Sequence, residues 1–106
     1  DFEVLGRDYA TRFAQFEENL TSLRGLLETG AGDHVDLTPW QNVLGGPPLL
    51  YGTWGKGVAR AAREFSGWIA SAMHRSDEQV IDALQGYREN GGESAIVSSI
   101  VLGVEQ

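Results

Sequence analysis

The chain has 106 residues, of which 42% are hydrophobic and 22% charged, and its formal net charge is -7. This composition is typical of one small globular domain. The negative charge disfavours nucleic acid and anionic membranes, because both require a cationic protein surface. The absence of cysteine excludes disulfides and cysteine-ligated zinc. No apolar run approaches the roughly 20 residues that span a bilayer, so stable membrane insertion is not expected.

The first predicted element is a long amphipathic helix over about residues 2–29. Large apolar residues recur there every three or four positions, and charged residues lie between them. The apolar stripe consists of Phe2, Leu5, Tyr9, Phe13, Phe16, Leu20, Leu23 and Leu27. This period is that of one helix face. Gly30 and Gly32 predict the end of the helix.

A connector over residues 30–57 follows, and it contains all three prolines of the chain together with several glycines and aromatic residues. We predict that it packs onto the helices. Its last part, Gly52–Gly57, is similar to a phosphate-binding loop, but Leu50 and Gly57 occupy positions where that motif requires Gly and Ser or Thr. The segment is therefore interpreted as a tight turn.

A second long helix is predicted over about residues 58–90, again from apolar residues at helical spacing. Ser76 lies in the middle of this segment, where it suits either a kink or a new helix N-cap. Gly91 and Gly92 predict its end. The apolar tail over residues 93–104 is rich in β-branched residues and suits either a short helix or a strand.

These elements predict an all-α fold, a single domain over residues 1–106 in which two antiparallel helices are joined by the long connector. Its apolar surface is too wide for one helix–helix seam, which favours assembly of two hairpins into a four-helix bundle dimer. The side chains expected at the partner interface are Phe13, Phe16, Leu20, Trp54, Phe65, Trp68 and Ile69.

No arrangement of residues predicts catalysis. Glu17–Glu18 and Asp77–Glu78 are acidic pairs, but adjacent residues of a helix point in different directions and cannot converge on one bond. The nucleophile motif G-x-S-x-G is absent. Asp33, His34 and Asp36 are interpreted as solvated loop residues, because a metal site normally draws on a second cluster of ligands. We therefore expect no enzyme activity, no metal and no cofactor.

Lys56, Arg60 and Arg63 form a basic ridge at helical spacing on an otherwise acidic protein. Glu64 can pair with Arg60, so the ridge is either a salt-bridged face or a docking ridge for an acidic partner.

The pattern of helix, connector and helix, with Tyr51–Gly57 and Ala70–Asp77 as local anchors, resembles the WXG/ESX superfamily of type VII secretion proteins, in particular its EspC-like branch. The resemblance implies a turn motif at Trp54, Gly55 and Gly57. It also implies an export-signal-like pair at Met73 and Asp77, with Met73 at the position of the usual aromatic residue.

The same resemblance implies a non-enzymatic substrate or adaptor that leaves the bacterial cytoplasm as a folded dimer and is then secreted or associated with the cell envelope. Its expected partner is another helical hairpin, in a homodimer or heterodimer, or a secretion ATPase or toxin. The net charge of -7 supports an alternative, an immunity or antitoxin-like protein that masks a basic toxin.

Overall fold

The computed structural model describes residues 4–32, 34–37, 42 and 44–99. A 3-10 turn at Tyr9–Thr11 leads into helix α1, and a β/α segment follows later in the chain. The elements in chain order are α1 (Arg12–Thr29), β1 (Leu50–Gly52), α2 (Gly57–Glu64), β2 (Gly67–Ser71), α3 (Asp77–Glu89) and β3 (Ala95–Ser98). They belong to two compact units, Asp1–Pro47 and Pro48–Gln106.

The first unit is built on α1. Asp8 accepts a hydrogen bond from the backbone N–H of Ala10 and so caps the 3-10 turn, and residues 4–8 before the turn are not helical. Helix α1 ends at Thr29 because Gly30 adopts a left-handed conformation and donates its N–H to the carbonyl of Leu26. The predicted stop at Gly30 is therefore confirmed, whereas the regular helix begins about ten residues later than expected.

The second unit contains a parallel sheet, so the prediction of an all-α hairpin is wrong. The segment predicted as one helix over residues 58–90 instead contains α2, β2 and α3. Strand β1 forms inside the predicted connector, and β3 forms in the apolar tail, where the sequence had left helix and strand open. Because residues 58–90 do not form one long helix, the four-helix bundle dimer loses its structural basis.

Two local breaks divide the predicted second helix. Phe65 has an extended backbone and ends α2, and the following Ser66–Gly67 leads directly into β2. Ser76 then starts α3 through a capping box: its side chain accepts from the N–H of Gln79, whose own side chain accepts from the N–H of Ser76. Of the two interpretations of Ser76, the new N-cap is confirmed.

The sheet has the order β1-β2-β3, and both strand pairs are parallel. In the register of the sheet, Tyr51 lies beside Trp68, Trp68 beside Ala95, and Ile69 beside Ile96. Helices α2 and α3 are the two crossover connections, as parallel neighbours require. They contact each other and pack on the same face of the sheet.

The core of this unit lies between the sheet and its two helices. Its central side chains, Trp68 and Tyr87, are almost completely buried, and their rings lie 5.7 Å apart. Both polar groups have partners, since Trp68 donates to the carbonyl of Thr53 at 2.6 Å and Tyr87 donates to that of Ser94 at 2.7 Å. Val58, Ala61 and Ala70 complete the buried cluster.

Candidate protein-interaction surface

The two faces of the sheet have different surroundings. Side chains alternate between the faces of a strand, so residues in register point the same way across parallel neighbours. Trp68 and Ala70 of β2 are buried against the helices, whereas Ile69 and Ser71 are exposed on the opposite side. We call this opposite side the open sheet face. Its members are Leu50, Gly52, Gly67, Ile69, Ser71, Ile96 and Ser98.

Three large aliphatic side chains dominate the open sheet face. Leu50, Ile69 and Ile96 are 41%, 40% and 53% exposed. The side chain of Leu50 lies over Gly67, where an added Cβ would come within 2.5 Å of Leu50 Cδ2. Ile69 and Ile96 are register neighbours on adjacent strands, a pairing that places side chains in contact range. Together they form an apolar ridge across the sheet.

None of the seven described positions on the open sheet face carries a charged side chain. Parallel sheets are normally covered on both faces, because their crossover helices or other elements shield each side from water. Here α2 and α3 cover one face only. The open sheet face is thus suited to contact with another apolar surface.

The residues predicted at a partner interface are divided between several environments. Trp68 is fully buried and is a core residue, and Trp54 packs edge-on against it at 5.2 Å. Phe65 is half-buried and stacks on Tyr51 at 4.6 Å. Of these predicted interface residues, only Ile69 belongs to the open sheet face.

The predicted interface residues of the first unit lie on α1. Phe13 and Phe16 are exposed, whereas Leu20 is buried, with 9% of its surface accessible. The guanidinium of Arg12 lies over the rings of Tyr9 and Phe13, at 3.6 and 4.3 Å from their centroids. Because Leu20 is already covered, the stripe is not continuously available to a partner helix.

The turn motif joins β1 to α2. Gly55 has a positive φ of 63°, and α2 begins at Gly57, against the side chain of Thr53. The preceding strand β1 was not recognised in the sequence, and its presence gives the strand–loop–helix order of a phosphate loop. The motif still lacks the required residues at Leu50 and Gly57, so the tight-turn interpretation is retained.

Trp54 links this turn to strand β2 of the sheet. Its indole N–H donates to the carbonyl of Ser71 at 3.1 Å, and the guanidinium of Arg75 lies 4.7 Å from its ring centroid. The hydrogen bond joins the loop after β1 to the end of β2, and the Arg75 contact joins it to the loop that follows β2. Trp54 is therefore a structural residue at the carboxyl edge of the sheet.

The export-signal-like residues do not share a helix. Met73 lies in the loop after β2 and is 58% exposed, whereas Asp77 is the first residue of α3. The i, i+4 arrangement on one helix face, which the resemblance implied, is therefore not formed.

The basic ridge makes contacts within the chain. Arg60 forms a salt bridge of 2.7 Å with Glu64, and Arg63 donates to the side chain of Asn90 at 2.9 Å. Lys56 occupies the N-cap of α2 without a side-chain cap hydrogen bond. These contacts favour the salt-bridged face over the docking ridge. An exposed pair of this spacing contributes only about 0.3–0.5 kcal/mol.

Metal binding and membrane crossing each have their own structural requirements. His34 and Asp36 are exposed, Asp33 lies outside the described residues, and no group of three or more potential metal ligands occurs in the part that is described. Within that same part, no helix has the length and apolar character needed to cross a membrane.

Open depressions occur among the described residues of both units. One, of about 500 Å³, lies along the C-terminal half of α1 and includes Leu23, Leu26 and Val35. Another, of about 420 Å³, is a groove between α2 and α3 near Trp54 and Arg75. In α/β sheets ligands usually bind where the strand order reverses, and the order β1-β2-β3 contains no reversal.

The fold and the open sheet face define the class of this unit, an α/β domain whose parallel sheet is covered on one side. Comparisons with models of known protein families, with curated proteins and with solved structures find no match.

Proposed function

We propose that the chain is a non-enzymatic protein-interaction domain that binds an apolar partner surface through the open sheet face. The observation that carries this proposal is the uncharged ridge of Leu50, Ile69 and Ile96 on a parallel sheet with one covered face. Full burial of one such side chain contributes about 1.5–3 kcal/mol. These three side chains are already partly covered, so each would supply only part of that on binding.

The preferred partner presents the apolar face of an amphipathic helix. Helices are the usual cover of parallel sheets, and the aliphatic ridge offers such a helix an apolar surface on which to pack. A charged partner surface is disfavoured, because charges placed against Ile69 and Ile96 would lose water without gaining a hydrogen bond.

The earlier expectations about biological role stay predictions. The roles of type VII secretion substrate or adaptor, and of homodimer or heterodimer, were implied by resemblance to a helical hairpin, which the described residues do not form. The antitoxin-like alternative depends on the net charge of -7, whereas the open sheet face is uncharged. The identity of the bound partner distinguishes them: a basic toxin supports the antitoxin role, and a secretion ATPase supports the secretion role.

The test compares two substitutions of the same residue type at equal exposure. Ile96 on the open sheet face is 53% exposed, and Ile81 on α3 is 54% exposed. We expect Ile96→Lys to abolish capture of the partner from the native host, because it places a charge inside the interface. Ile81→Lys should leave capture at the wild-type level.

Both variants are first checked for unchanged circular dichroism and urea midpoint, since each lysine lies at an exposed position. Light scattering of the purified proteins reports whether the partner is a second copy. Capture that survives Ile96→Lys at the wild-type level would overturn the proposed surface.

A further inference from the structure

We draw no further inference here: the strongest candidate, the groove between α2 and α3 beside the Trp54–Arg75 contact, is lined in the described part of the chain by no buried polar group lacking a partner, and nothing in the structure shows what covers it.

Discussion

The indole N–H of Trp68, in the central strand, donates a 2.6 Å hydrogen bond to the backbone carbonyl of Thr53, in the loop after the edge strand β1. Trp54, the next residue in that loop, donates its own indole N–H to the carbonyl of Ser71 at the end of the central strand. The two contacts run in opposite directions between the same two chain segments. They hold the β1–α2 turn against the carboxyl end of β2.

The two tryptophans should differ in their effect on stability. Trp68→Phe removes a buried donor, leaves the Thr53 carbonyl without it and opens space in the core, so we expect the free energy of unfolding to fall by about 2–4 kcal/mol. Trp54→Phe removes a donor at a half-buried position, with an expected loss of about 1 kcal/mol. Urea unfolding followed by circular dichroism measures both, and equal losses would contradict the central role of Trp68.

Two glycines should respond to alanine in opposite directions. A Cβ on Gly92 would overlap the buried ring of Tyr87, so Gly92→Ala should destabilise by about 1–3 kcal/mol. Gly86 lies inside α3, where an added Cβ would point into open space, so Gly86→Ala should stabilise by about 0.5–1 kcal/mol. Thermal unfolding of the two variants and of the wild type measures both changes in stability. A shift of the same sign in both would be inconsistent with the packing of Gly92 under Tyr87.

The capping box of α3 should contribute measurably to the free energy of unfolding. Ser76→Ala removes the acceptor for the N–H of Gln79 and should cost about 1 kcal/mol of unfolding free energy. Ser76→Asp keeps an acceptor in the same place and should retain most of the stability. Chemical denaturation of the two variants checks this, and an equal loss in both would mean that the cap does not stabilise α3.

Adjacent residues of the central strand should test which side of the sheet is covered. Ala70 faces the helices, so Ala70→Thr would force a larger, polar side chain into the core and should cost about 1–3 kcal/mol. Ile69 lies on the open sheet face, so Ile69→Thr should change stability by less than about 1 kcal/mol. Urea midpoints of the two variants give the comparison. The reverse order would place the helices on the other face.

Several local features followed from the sequence alone. Gly30 ends α1 as predicted, and Ser76 is the N-cap that was one of its two predicted interpretations, because caps depend on residues within one turn of each other. The pairing of Arg60 with Glu64 likewise follows from their spacing on one helix. The open sheet face did not follow from local spacing, and of its three aliphatic residues only Ile69 was singled out.

The sheet itself was decided by tertiary structure. Phe65, Ile69 and Ala72 fall at helical spacing, so Gly67–Ser71 was assigned to a helix, yet Trp68 and Ala70 are buried together because the segment is a strand. Its partners, Tyr51 and Ala95, lie far away along the chain in opposite directions. Caps and turns are local and can be predicted from neighbouring residues. Parallel pairing joins distant segments whose hydrogen bonds exist only once the crossover helices have brought them together.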